Sequence, residues 1–172
     1  MSDLDEFNTA PHAALRQRLL ALTASPSWAD AVLTGRPYAD LDALLGASDE
    51  AALQLDEQEV DAALASHPRI GETAAGLDPD SAGRSSREQA AMSHADDAVR
   101  AELARGNAAY EQRFGRIYLV AAAGRSGQEL LDVLDGRLGN DPDTELAVVR
   151  GELARITRLR LADMFATAEA GR

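Results

Sequence analysis

The residues best suited to chemistry begin at His67, which directly precedes Pro68 at the end of an amphipathic stretch. Proline has no amide proton and disfavours helical geometry in the residue before it, so the sequence places His67 at a helix end. A side chain there can point into a cleft, and imidazole titrates near neutrality. His67 is therefore a candidate acid–base residue. The alternative is a structural histidine whose positive charge is stabilised by the carboxyl end of a helix.

A second polar cluster has the pattern Ser85-x-x-Glu88-Gln89. This spacing is typical of a capping box, in which the serine and the glutamate satisfy amides at a helix start. A helix start also offers free amides and a partial positive charge, so its polar side chains could bind an anionic or urea-like ligand. Both interpretations remain open for these three residues.

A third candidate lies near the end of the chain, where Arg160 stands between Leu159 and Leu161. Apolar neighbours predict burial, and a buried guanidinium needs a carboxylate from the protein or from a ligand. The alternative to ligand binding is an internal salt bridge, with Glu88 or Glu152 as the partner.

Metal and thiol chemistry are not predicted. The chain has no cysteine, which excludes disulfides, thiolate nucleophiles and sites ligated by cysteine. His12 and His94 do not have ligand spacing relative to His67, so no histidine-based metal site is expected.

The elements that must position these residues are predicted to be helices. Apolar residues make up 45% of the 172 residues and aromatic residues only 4%, with alanine and leucine dominating. We predict an all-α, single-domain bundle of about eight helices over residues 1–172, with a core from about 7 to 165. Predicted helix starts lie at 8–11, Ser27, Asp40, Asp56, Ser126 and Asp141, and predicted ends at Gly35, Gly46, Gly115, Gly139 and near Phe165. The apolar run 118–123 is strand-like but too short for periodicity to assign.

The charge of the chain excludes several partners. A net charge of −12 and a sequence pI of about 4.6 disfavour nucleic acid and anionic membranes. No stretch is long and apolar enough to cross a bilayer, and the acidic start lacks the features of a signal peptide. A cytoplasmic protein is expected.

Taken together, the motifs and their order resemble one family. The chain resembles the 2-oxo-4-hydroxy-4-carboxy-5-ureidoimidazoline (OHCU) decarboxylases of uric acid degradation, over about residues 7–164. Tyr118-Leu119 stands where the family usually has Phe-Ile or Phe-Val. The resemblance rests on His67-Pro68 with Gly71, Ser85-x-x-Glu88-Gln89, Asn107-x-x-Tyr110-x-x-x-Phe114-Gly115, Gly124-Arg125-Ser126, Arg137-Leu138-x-Asn140, Glu145 and Ile156-x-x-x-Arg160-Leu161.

The resemblance implies a cofactor-independent enzyme that converts OHCU to (S)-allantoin and carbon dioxide. It also implies an all-helical fold, a homodimer and a small-molecule substrate as the ligand. Catalytic roles transfer to His67, Glu88 and Arg160. Substrate-binding roles transfer to Pro68, Ser85 and Gln89, and to Leu119, Val120 and Ala122 in a segment that supplies backbone contacts to the substrate ring.

Two other functions remain possible from the sequence. One is a helical interaction domain without catalysis, because bundles serve many functions. The other is a decarboxylase of a related ureido or imidazole acid, which the residues at 118 and 119 leave open. The hydrolase that precedes the decarboxylase in the pathway is disfavoured by the helical pattern.

Overall fold

The computed structural model describes residues 3–70 and 97–170, with side chains up to residue 166. Across these ranges the chain is helical and contains no strand, which confirms the all-α prediction. None of the helices within these ranges is long and apolar enough to cross a membrane. The described residues form eight helices: α1 (Asp3–Thr9), α2 (His12–Leu20), α3 (Pro26–Thr34), α4 (Leu41–Leu53), α5 (Glu57–Leu64), α6 (Asp97–Phe114), α7 (Gly127–Leu138) and α8 (Pro142–Ala170).

Several helix starts follow the local capping rules. The amide of Glu59 donates to the Asp56 carboxylate at 2.8 Å, and Glu59 accepts from the Asp56 amide at 3.0 Å, as a capping box requires. Ser126 and Glu129 form the same reciprocal pair at the start of α7. Asp40 caps α4 through the amide of Ala43 at 2.8 Å. These predicted starts are confirmed.

Other predicted boundaries were wrong. A helix does begin directly after the predicted start at 8–11, since α2 begins at His12, but residues 8 and 9 end α1 instead of capping α2. The Asn8 amide group donates to the Tyr38 carbonyl at 2.9 Å. Ser25, not Ser27, caps α3, because Pro26 occupies the first helical turn.

Two predicted helix ends were also wrong. Helix α4 continues through Gly46 to Leu53, because one glycine costs a helix only about 1 kcal/mol relative to alanine. Helix α8 runs past Phe165 to Ala170.

The chain divides into two compact units, one formed by Met1–Ala63 with Leu153–Arg172 and the other by Leu64–Glu152. In the first unit Trp28 is fully buried, and its indole N–H donates to the Ser48 carbonyl at 3.2 Å. Phe7 packs against Phe165 with ring centroids 5.7 Å apart. The single domain over 1–172 stays a prediction.

The second unit has a core built by α6, α7 and the segment that joins them. Gly115 ends α6 with a φ of +70°, a conformation that glycine adopts without strain. The joining segment then enters the core as irregular backbone, so the strand-like run 118–123 is not a strand. Its buried apolar character reflects packing on α6 and α7, not sheet formation. The core residues are Ile70, Leu103, Tyr110, Tyr118, Val120, Ala122, Leu130, Leu131 and Leu134.

Candidate functional site

His67 lies just beyond α5, at the helix end that its sequence neighbours predict. Its amide donates to the Leu64 carbonyl at 2.9 Å, which closes the last turn of the helix. The residue is only 9% exposed, and Pro68 after it is half-buried. An imidazole largely removed from water can exchange a proton with a bound molecule without competition from bulk solvent.

Helix α6 fixes the short segment that carries His67. The side-chain amide of Asn107 donates to the Ile70 carbonyl at 3.2 Å. One turn later, Glu111 accepts two hydrogen bonds from the Arg69 guanidinium, and Arg69 Nη2 lies 3.0 Å from Glu111 Oε2. The Arg69 hydrogen bond holds the pKa of Glu111 below its ordinary value. The segment 67–70 is therefore tied to α6 by one neutral and one ionic contact.

The predicted backbone-binding segment 119–122 is held from two sides. Arg137 Nη1 donates to the Leu119 carbonyl at 2.7 Å, and the Ala121 amide donates to Glu152 Oε2 at 2.7 Å. The Leu119, Val120 and Ala122 residues are all buried. Buried backbone groups outside regular structure need such partners, and here charged side chains supply them.

Arg137 belongs to a buried polar network centred on Glu145, which is only 1% exposed. Arg137 Nε and Nη2 donate to Glu145 Oε1 at 2.8 and 2.6 Å. The Tyr110 hydroxyl donates to the same oxygen, and the Asn140 amide group donates to Oε2 at 2.9 Å. The guanidinium also lies over the rings of Tyr110 and Tyr118, at 5.6 and 4.8 Å from the centroids.

The network shifts the pKa values of its members. Burial raises the pKa of Tyr118 to about 12, and burial together with the Glu145 hydrogen bond raises that of Tyr110 further. Burial alone would lower the pKa of Arg137, but the hydrogen bonds and charge of Glu145 more than offset it and the pKa is raised. At neutral pH both phenols are therefore neutral hydrogen-bond donors and Arg137 is a cation.

The second unit brings two predicted site segments into one core. Ile70, three residues after His67, packs in the same cluster as Val120 and Ala122. Tyr110 of α6 belongs to the same cluster, and its ring packs edge-on against Tyr118 with centroids 5.4 Å apart. The structure therefore gathers the His67 turn and the 119–122 backbone around α6.

Arg160 belongs to the first unit, where it is 8% exposed and Nη1 donates to the Leu22 carbonyl at 2.6 Å. Leu161 beside it is fully buried, whereas Leu159 is 47% exposed. The predicted burial of the guanidinium is confirmed. The remaining predicted site residues, Ser85, Glu88 and Gln89, lie outside the described residues, as does Gly71.

The comparison with known proteins decides the family, because the profile of the OHCU decarboxylases matches residues 8–162. The chain belongs to the OHCU decarboxylase family. It is 30% identical over 146 residues to the 2-oxo-4-hydroxy-4-carboxy-5-ureidoimidazoline decarboxylase of Amia calva, covering 81% of each protein. A crystal structure of OHCU decarboxylase in the presence of (S)-allantoin superposes with a TM-score of 0.73 at 25% identity, covering 87% of this chain and 97% of that one.

Another relative is longer than this chain. The chain is 33% identical over 143 residues to the uric acid degradation bifunctional protein TTL of Arabidopsis thaliana. The match covers 82% of this chain and 44% of the plant protein, so the chain corresponds to less than half of that relative's length.

Two further features of the described ranges concern metal ligands and a surface groove. In the described ranges no three histidine, aspartate or glutamate side chains are grouped so that they could hold a metal ion. A groove of about 390 Å³ lies in the first unit between α3 and α4, but no predicted site residue lines it. Its walls include Ala31, Tyr38, Ala51 and Leu55.

The sequence interpretation missed the role of the Arg137–Glu145 network, although its residues stand among the family motifs. A signal was present. Leu130, Leu134 and Arg137 follow at helical spacing, which puts the arginine on the apolar face of α7. Glu145 and Glu152 likewise share a face of α8 with the buried Val149. A charge on an apolar helix face predicts a buried partner, and the two helices supply one to each other.

Proposed function

We propose that this chain catalyses the decarboxylation of OHCU to (S)-allantoin and carbon dioxide in uric acid degradation, without a cofactor. The observation that carries the proposal is the family match over residues 8–162, which includes every residue to which we assign a role. The geometry supports it, because His67 is buried and Ile70, three residues after it, packs in the same core as the buried irregular segment 119–122.

The proposed reaction needs little from the protein beyond position and proton transfer. The C–C bond to the carboxylate breaks, carbon dioxide leaves, and the electron pair moves into the imine of the substrate ring, which takes up a proton from solvent. The substrate hydroxyl then loses its proton and becomes a carbonyl, while the neighbouring ring carbon gains one. His67 would accept the first of these protons and return one to a single face of the ring, which fixes the S configuration.

The other residues would hold the substrate in the reactive geometry. Arg160 would bind an anionic or carbonyl oxygen through its fork of donors. Glu88 would act with His67 and Arg160 as the third catalytic residue, at the ureido group. The backbone of the 119–122 segment would contact the ring, and Pro68, Ser85 and Gln89 would complete the binding site. Such positioning lowers the activation free energy, because the substrate loses its freedom of motion on binding, before the bond breaks.

We further propose that the protein acts in the cytoplasm as a homodimer, as the family resemblance implies. Light scattering coupled to size-exclusion chromatography tests the oligomeric state directly. A mass of one chain at micromolar concentration would contradict the homodimer and leave the activity untouched.

The experiment that tests the function follows optical activity. Urate oxidase and hydroxyisourate hydrolase generate OHCU from urate in the cuvette, and circular dichroism then follows allantoin. With this protein present, we expect the rapid appearance of a circular dichroism signal from one enantiomer of allantoin. A standard of (S)-allantoin identifies that enantiomer. Slow, racemic product equal to the control without protein would refute the proposal.

A further inference from the structure

The segment 119–122 has an unusual requirement for support. Its residues Leu119, Val120 and Ala122 are between 1% and 4% exposed, yet the backbone is neither helix nor strand. A buried backbone without regular structure must find partners for its N–H and C=O groups elsewhere. Two of those groups receive charged partners at 2.7 Å, from Arg137 at Leu119 and from Glu152 at Ala121.

The two supporting side chains come from different helices and act on opposite kinds of group. Arg137, in the last turn of α7, donates to a carbonyl, and Glu152, in α8, accepts from an amide. They fix the peptide groups on either side of Val120. Charge-assisted bonds are shorter and stronger than neutral ones, so they restrict this backbone more than ordinary loop contacts would.

Arg137 is itself immobilised, which makes it a rigid support. Glu145 accepts hydrogen bonds from two N–H groups of Arg137. The Arg137 guanidinium also lies against the rings of Tyr110 and Tyr118. A buried ion pair adds little to stability compared with apolar residues of the same volume. The cost of burying these charges is therefore better explained by the geometry that they impose on the 119–121 backbone.

Val120 lies between the two supports. Its residue is 2% exposed, and within the described ranges no protein group hydrogen-bonds to its N–H or C=O. We propose that Arg137 and Glu152 are positioning residues that hold the peptide groups of Val120 toward the substrate ring. The inference rests on the proposed function and assigns to these two side chains a role in substrate orientation, through the backbone and without substrate contact.

Two variants remove the supports in different ways. Arg137→Lys keeps a positive charge for Glu145 but cannot reproduce the planar fork that reaches Leu119 as well. Glu152→Ala removes the acceptor for the Ala121 amide. Misplacing a substrate-binding group by about 1 Å costs roughly 100-fold, so we expect each variant to lower kcat/KM by about that factor. Affinity for (S)-allantoin, measured by titration calorimetry, should fall about tenfold.

Glu152→Gln separates positioning from charge. Its side-chain carbonyl still accepts the Ala121 amide, so we expect kcat/KM within about tenfold of the wild type, well above that of Glu152→Ala. Leu134→Ala is the control for destabilisation, since it opens a cavity in the same core and removes neither supporting side chain. Per folded molecule, measured by circular dichroism and denaturation, Leu134→Ala should keep the wild-type kcat/KM.

The outcomes separate this inference from the proposed function. A wild-type protein that does not accelerate (S)-allantoin formation would refute the function and the inference with it. An active wild type, with Glu152→Ala and Arg137→Lys as active per folded molecule as Leu134→Ala, would refute only the positioning role. Glu152→Gln as impaired as Glu152→Ala would also overturn it, because the charge and not the acceptor would then matter. Should Arg137→Lys fail to fold, the two Glu152 variants decide.

Discussion

The Glu145 carboxylate allows a strong prediction about stability. It accepts hydrogen bonds from Arg137, Tyr110 and Asn140 and is 1% exposed, so removing it leaves a buried guanidinium without its counter-charge. Breaking a buried pair by removing one partner costs about 3–5 kcal/mol. We therefore expect Glu145→Ala to lose about 3–5 kcal/mol of unfolding free energy. In a chain of this size that corresponds to a fall in Tm of roughly 6–20 °C.

Urea denaturation followed by far-ultraviolet circular dichroism measures the loss, and two further variants sharpen it. Asp30→Ala removes one partner of the exposed Arg16–Asp30 pair, whose carboxylate side chain is 50% exposed, and should change stability little. The double variant Arg137→Met with Glu145→Leu removes both charges and should recover part of the stability lost by Glu145→Ala, because no buried charge is left alone although the Leu119 carbonyl loses its donor.

If Glu145→Ala were no less stable than Asp30→Ala, the network would not be buried as the structure shows. If the double variant were as unstable as Glu145→Ala, the loss would come from shape and from hydrogen-bonding groups left without partners, and not from an uncompensated charge.

Two further predictions concern single contacts. The Tyr118 hydroxyl donates to the Leu130 carbonyl at 3.2 Å, so Tyr118→Phe should cost about 0.5–1.5 kcal/mol in urea denaturation, and no loss would contradict that bond. The pKa of Glu111 is lowered by Arg69, so the stabilisation is present above the ordinary carboxyl pKa of about 4.3 and is lost as pH falls through the lower folded value. The stability difference between wild type and Glu111→Gln should therefore shrink from pH 7 to pH 3, and a difference that stays constant would exclude this linkage.

The parts of the fold that the sequence predicted well are those fixed by local chemistry. The capping boxes at Asp56 and Ser126 and the end of α6 at Gly115 each depend on residues within one turn of the boundary. The errors arose where a local signal was weak or misread. Ser25 caps α3 because proline prefers the first helical position, which Pro26 occupies. Gly46 does not end α4, because the helix-forming residues on both sides offset its cost.

The candidate site was predictable in part for a similar reason. The position of His67 at a helix end follows from Pro68. The burial of Arg160 agrees with that of Leu161, although Leu159 on its other side is exposed. The bond from Arg137 to the Leu119 carbonyl joins residues far apart in the chain, and no local pattern specifies it. Helical spacing could indicate that Arg137 is buried, but only the packing of α7 on the irregular segment determines which carbonyl it meets.

The central claim is that this chain decarboxylates OHCU with His67 as its acid–base residue. The most direct test compares His67→Asn with His12→Asn, an exposed histidine in α2, in the circular dichroism assay for (S)-allantoin. Loss of a general acid–base group typically costs roughly a hundred- to ten-thousand-fold, so His67→Asn should lose that factor in kcat while keeping its fold. His12→Asn should match the wild type. Wild-type rates from His67→Asn would contradict the account.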